Sequence, residues 1–317
     1  MKNRIIALSI VGALSAPLGA SAQLAYASNE KDGTISVIDT AKDEVVASIK
    51  AGKTPRGMAA SIDGKRLYVS DQKSNALRII DLATGTEAGV IDLGESPEGV
   101  GRSPDGKWVV VAIEEDHQVF FIDVATGRIA FRVKVEGENP EHAVFSPDSK
   151  WVFVSAEESQ VVDVIDVEAR KLLGSVRVGK RPRGIGFTPD GLRAYVACEI
   201  ANTVYAIDLP NRKVLAAIPA GGRSNGIKVH PTGREVYVSN GADGTVMVID
   251  TATNAVTQTI KVGNRPWNLA LTTDGGKLYV ANGRSNTVSV IDTATKKEVK
   301  QIKVGEQPWG VLMPGGH

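Results

Sequence analysis

Seven positions set 42 or 43 residues apart carry Arg56, Glu98, Glu141, Arg183, Asn225, Trp267 and Trp309. Brought together, side chains of these types hold a ligand by ion pairing, hydrogen bonding and stacking. The next residue is glycine in five copies, Gly57, Gly99, Gly184, Gly226 and Gly310, but His142 and Asn268 in the other two. Repeated glycine points to close backbone approach, so an imidazole in that slot is the sharpest departure in the chain. If they converge, Glu98, Glu141, His142 and Arg183 supply acid–base and electrophilic groups. Glu114, Glu157 and Glu199 follow at the same period, with Glu115, Asp116 and Glu158 beside them. Oxygen ligands of this kind suit a hard cation such as Ca²⁺, for which Glu114, Glu157 and Glu199 are weak candidates.

With Asp71, Glu98 and Glu141 these carboxylates form an acidic arc over adjacent copies. Arg223, Arg265, Arg284, Trp267, Trp309 and Arg56 form the opposite arc. Trp267 and Trp309 stand on neighbouring copies, so their rings are expected side by side, as a platform for a planar ligand or a partner side chain. A polarised mouth steers a charged ligand even when net charge is small. Here 37 Lys+Arg stand against 36 Asp+Glu. That balance argues against a protein that seeks partners by global charge, and an acidic arc repels phosphate, which disfavours nucleic acid.

The elements that position these residues follow from a seven-fold repeat. Ile-Asp recurs at Ile38-Asp39, Ile80-Asp81, Ile122-Asp123, Ile165-Asp166, Ile207-Asp208, Ile249-Asp250 and Ile291-Asp292. A marker keeps the same period at Pro55, Pro97, Pro140, Pro182, Ser224, Pro266 and Pro308, each three residues after a glycine. Such a period belongs to propeller-type arrays. Within one copy, strands over 268–271, 278–281, 287–291 and 299–304 are separated by turn clusters such as Thr273-Asp274-Gly275. The first segment, 24–28, corresponds to a second strand and the last, 309–313, to a lone first strand. The fold predicted is therefore all-β: a seven-bladed β-propeller of four-stranded blades, closed by a composite blade of one C-terminal and three N-terminal strands. Blades fall near 53–94, 95–137, 138–179, 180–221, 222–263 and 264–304, and the composite blade joins 24–52 to 308–313.

Lys2 and Arg4, the apolar stretch from Ile5 to Leu14 and Ala20-Ser21-Ala22 have the layout of a cleaved secretory signal over residues 1–22. A single propeller domain, 23–317, is then expected in the periplasm, as a monomer with no membrane span. The lone cysteine, Cys198, rules out an internal disulfide, a CxxCH attachment site for c-type heme and a zinc ligand set built on cysteines. Features present in all seven copies are read as scaffold, with each Ile packing between blades and each Asp capping the following turn.

Tyr279-Val280-Ala281-Asn282, Tyr237-Val238-Ser239-Asn240 and Tyr68-Val69-Ser70-Asp71, each followed by a Val-Ile-Asp-like strand, resemble the YVTN family of β-propeller repeats. The mature chain is also similar to the exported PQQ-dependent catabolism-associated β-propeller proteins. The seven-fold regularity, the export segment and the lack of an HExxH or P-loop motif point to a non-enzymatic binding or scaffold module. The resemblance implies a context, PQQ-dependent alcohol catabolism, with a periplasmic protein or small molecule as partner, such as a PQQ dehydrogenase or a transporter component. No bound cofactor is predicted, and PQQ enters by context alone. A propeller hydrolase of lactonase type and a DNA-binding YVTN propeller are the alternatives. A heme d1 propeller is disfavoured because no attached cytochrome c motif is present. A PQQ dehydrogenase is disfavoured because Phe131 stands where that family's repeat, partly matched by 123–128, has a tryptophan.

Overall fold

β-branched and aromatic residues at alternate positions, cut by clusters of Asp, Gly, Asn and Thr, dictate short strands and tight turns. A computed structural model describes residues 23–315 and has 28 strands in seven four-stranded antiparallel sheets. One 3₁₀ turn, Gln72–Ser74, is the only helical element among the described residues. The expected export segment, 1–22, lies outside them.

The first strands of the blades are Pro55–Ala60, Pro97–Arg102, Pro140–Phe145, Pro182–Phe187, Ser224–Val229, Pro266–Leu271 and Pro308–Leu312, numbered here as blades 1 to 7. Each packs on the next, and the last on the first, in a closed inner ring. Blade 7 is the composite: Pro308–Leu312 lies beside Leu24–Asn29, then Thr34–Asp39 and Glu44–Lys50. Its register sets Tyr26 opposite Leu312, Ala27 opposite Val311 and Ser28 opposite Gly310. The seven Ile residues of the Ile-Asp pairs have no exposed surface. Their Asp partners cap the following turns, as where Asp81 Oδ1 accepts the Ala83 and Thr84 N–H groups at 2.9 Å.

Seven sheets converge on one axis only if their inner strands nearly touch. A Cβ on Gly57, Gly99 or Gly184 would lie 2.6 Å from the carbonyl oxygen of Glu98, Glu141 or Asn225 on the next blade. Glycine at this row is therefore a packing requirement. At the head of each inner strand the register shifts by one residue, as between Pro55 and Met58 or Pro140 and His142. Such a bulge re-aims a side chain, here turning the residue after the marker towards the mouth of the ring.

The composite blade is tied to blade 6 by Asp43, which accepts hydrogen bonds from Tyr279 Oη and, at 2.7 Å, from Lys277 Nζ. Asp43 has φ 55°, a conformation Asn also tolerates. Asp43→Asn keeps that backbone preference and removes the charge. It is expected to cost about 1–3 kcal/mol of unfolding free energy, read from the midpoint of urea denaturation; an unchanged midpoint would show the tie to be dispensable.

Candidate functional site

Three residues per blade build the mouth: the one before the marker, the one after it, and the first loop residue beyond the second strand. Before the marker, Ser96, Asn139, Arg181, Arg223, Arg265 and Gln307 all take φ between 54° and 61°. Left-handed backbone is costly for such residues, and a strap holds it. The Ser96, Asn139 and Arg181 carbonyls accept the N–H groups of Glu114, Glu157 and Glu199 at 3.0, 3.0 and 2.8 Å. These straps fix each loop carboxylate above the head of its own inner strand.

The loop position reads Glu30, Gln72, Glu114, Glu157, Glu199, Gly241 and Gly283 around the ring. Glu199, 1% exposed, gathers four arginines: Arg183 at 2.9 Å, Arg265 at 3.0 Å, Arg223 at 3.2 Å and Arg181 at 3.4 Å. Arg183 also pairs with Glu141 and Glu157, and Arg181 with Glu157 at 2.9 Å. Across the ring Arg56 joins Glu98 to Glu30, the latter at 3.0 Å. Gln72 Nε2 donates to Glu98 Oε1 at 2.7 Å, and Ser96 Oγ to Glu114 Oε2 at 2.8 Å.

Burial and charge set the protonation states. Burial, reinforced by the Glu114 charge, pushes Glu98 up to about 8 against the pull of Arg56, and Glu157 up to about 7 against Arg181. Burial acts the same way on Glu199, but Arg183, Arg265 and Arg181 outweigh it and hold its carboxyl below the usual range. Burial lowers Arg183 despite the Glu199 charge.

At the centre the His142 ring stacks on Trp309, with ring centroids 5.7 Å apart and planes 16° from parallel. Both His142 nitrogens are covered and lack hydrogen-bond partners. Burial lowers its pKa to about 4, with Asn268 beside it pulling weakly the other way, so the ring is a neutral imidazole. The Arg265 guanidinium lies over Trp267, 5.6 Å from the ring centroid. Arg56, Glu98, Glu141, Arg183, Asn225, Trp267, Asn268 and Trp309 all line one cavity of about 280 Å³. Beside it, sharing Arg265, opens a second of about 610 Å³ whose cationic wall is Arg223, Arg265 and Arg284. Gly241 makes room there: a Cβ on it would lie 3.3 Å from the Arg265 side chain.

The structure thus brings eight of the mouth residues named from the repeat to one cavity, with His142 stacked on Trp309 beside it, but rearranges their partners. Trp309 stacks on His142, from a blade across the ring, and not on Trp267 as expected. The two arcs interlock through Arg183, Arg181 and Arg56. Of the carboxylates proposed for Ca²⁺, Glu157 and Glu199 face arginines and Glu114 accepts from Ser96; among the described residues no three His, Cys, Asp or Glu side chains group as metal ligands. Asp71 turns into its own blade, accepting the Lys53 and Thr54 N–H groups at 3.0 and 2.9 Å and Arg78 Nε at 2.8 Å. Sequence reasoning missed Arg181, Glu30 and Gln72. All three sit on the 42-residue lattice, and counting two residues back from Arg183, or one and two periods back from Glu114, would have found them.

The chain matches the family described as Cytochrome D1 heme domain over residues 9–315. Several solved structures share its fold, three of them as follows. Hydrazine synthase of Kuenenia stuttgartiensis is 22% identical with a TM-score of 0.78, covering 85% of this chain and 92% of that one. A functionally unknown protein from Desulfotomaculum acetoxidans is 18% identical with a TM-score of 0.81, covering 92% and 98%. Dihydro-heme d1 dehydrogenase NirN in complex with DHE is 16% identical with a TM-score of 0.71, covering 95% and 78%. No curated protein matches the chain. The family match corrects two expectations, that no cofactor belongs to this chain and that a heme d1 propeller is disfavoured. The absent CxxCH motif bears on covalent attachment, whereas a heme held by ion pairs, stacking and an axial nitrogen needs no cysteine.

The protonation states fix a pH signature. Glu98 and Glu157 have raised pKa values in the folded state, so their contribution is full below the unfolded carboxylate value of about 4.3 and is lost as pH rises through about 7 to 8. Stability is expected to fall over that window by up to about 1.4 kcal/mol per pH unit for each group. Glu199 acts oppositely, losing its contribution as the solution is acidified below the ordinary carboxylate range. Glu98→Gln, scored by urea midpoints at pH 5, 6.5 and 8, should flatten the wild-type decline; an equal decline in both proteins would refute the assignment.

Proposed function

We propose, from the premise that this chain belongs to the cytochrome D1 heme domain family, that its propeller mouth binds an anionic tetrapyrrole of the heme d1 class without a covalent bond. The donor set fits such a group. His142 is a neutral imidazole, the form that ligates iron. Its nitrogens are covered by protein, so ligation requires the ring to turn out of its stack with Trp309. Trp267 and Trp309 offer apolar faces to a macrocycle. Arg223, Arg265 and Arg284 line a cavity of about 610 Å³, within the range of cofactor sites, and are suited to peripheral carboxylates.

A bound heme would supply a redox-active iron and a strong chromophore. The chain's own residues bind and orient. With no partner on either nitrogen, His142 is not poised as a base against a serine or cysteine, which favours a binding module over a lactonase-type hydrolase. The export pattern of residues 1–22 supports a periplasmic site of action. Service to PQQ-dependent alcohol oxidation, as binding or scaffold partner, is supported by the resemblance of the repeats alone.

The observation that carries this reading is the neutral His142 stacked on Trp309 beside an arginine- and tryptophan-lined mouth. Titration of the purified chain with hemin, followed by absorbance, is expected to saturate at one equivalent. Arg284→Ala should weaken binding about tenfold, as loss of one charge-assisted contact would. His142→Ala should retain binding with a changed Soret band. Failure to saturate, or parent-like affinity and spectrum in both variants, would overturn the proposal.

A further inference from the structure

At the position after the marker, blades 1 to 4 carry charged residues and blades 5 to 7 carry Asn225, Trp267 and Trp309. The cavity of about 280 Å³ therefore has two unlike walls. On the charged wall the groups answer one another: Arg56 pairs with Glu98, Arg183 with Glu141 and Arg181 with Glu157. On the neutral wall they do not. Asn225 is only 6% exposed, yet its carboxamide has no hydrogen-bond partner among the described residues. Unlike the His142 nitrogens it is not sealed in by protein, so it opens on the cavity it lines. The Asn268 Oδ1 lies 3.2 Å from where a Cβ on the adjoining Gly226 would stand, which sets the second carboxamide beside the first. Each indole of this wall has one face already covered, Trp309 by His142 and Trp267 by the Arg265 guanidinium.

We propose that this cavity binds a small, uncharged, polyhydroxylated ring of monosaccharide or cyclitol size. A buried carboxamide without a partner is costly, and a ligand that completes it recovers that cost. The carboxamide sets an acceptor beside two donors, and two adjacent hydroxyls meet it with one hydrogen bond given and one taken. The C–H face of the same ring covers the indole surface left open on Trp267 or Trp309. Charges that are paired within the protein call for no charge on the ligand, since an added ion would lose its water without gaining a free counter-ion. A planar base also stacks on indole, but its polar groups lie at fixed edges in one plane, whereas hydroxyls around a saturated ring reach Asn225 and Asn268 together. The volume, at the lower end of small-molecule pockets, suits a single six-membered ring. This reading goes beyond the tetrapyrrole and does not rest on it.

The test uses the full chain without hemin, titrated with D-glucose, D-galactose, D-mannose and myo-inositol, with uracil as the planar control, and followed by saturation-transfer NMR of the ligand. At least one polyol is expected to saturate a single site with a dissociation constant of about 1 mM or below, with transfer strongest at its ring C–H protons. Asn225→Leu, close in size, should weaken that polyol at least about tenfold, as loss of a buried hydrogen-bonding group does. Asn225→Asp, which keeps the shape and loses the donors, should weaken it as well, and decides the matter if the apolar variant unfolds. Saturation by none of the polyols, tighter binding of uracil than of any of them, or parent-like affinity in a folded variant would overturn the proposal whatever the outcome of the hemin titration.

Discussion

Seven sheets can share an axis only where their innermost backbones come almost into contact, and that steric demand organises everything else in this protein. Gly57, Gly99 and Gly184 meet it because a methyl group at any of them would sit 2.6 Å from a carbonyl oxygen of the next blade. The two copies that break the row therefore reveal themselves. A side chain at His142 or Asn268 cannot be absorbed between packed backbones; it is pushed towards the axis, where His142 meets Trp309. One rule of packing thus explains both the regularity of the ring and the place where it gives way.

Charge in the mouth follows a different economy. Burying carboxylates and guanidinium groups is costly, and pairs seldom return more than they lose. Here Glu199 is encircled by four arginines while Glu98, pushed up by burial, leaves Oε2 without a partner. The network is therefore dense around Glu199 on the blade 4 side and sparser around Glu98 on the blade 2 side. An arrangement of this kind does more to fix the positions of side chains than to stabilise the fold, which is what a ligand site asks of its walls.

The propeller was legible because a 42-residue period repeats local rules: turn clusters, β-branched strands, and a capping aspartate after each buried isoleucine. Even the composite blade followed from the mismatch between the first and last fragments. The mouth positions were legible for the same reason, since the lattice says which residues are equivalent. Their partners were not. Whether Trp309 meets Trp267 or reaches across the ring to His142 depends on how far each blade leans towards the axis, and no single repeat encodes that. Arg181 and Glu30 were hidden because their roles appear only when a neighbouring blade supplies the opposite charge. The cofactor reading failed for a chemical reason: cysteine spacing reports covalent attachment and is silent on a heme held by contacts alone.

The composite blade has a temporal consequence. Its innermost strand, Pro308–Leu312, is made long after its partner, Leu24–Asn29. Until it emerges, the propeller remains an unclosed arc in which Leu24–Asn29 has one bare β-edge. Closure of the circle therefore waits on a pairing between strands far apart in the sequence, and a product truncated before Pro308 carries an exposed pairing edge.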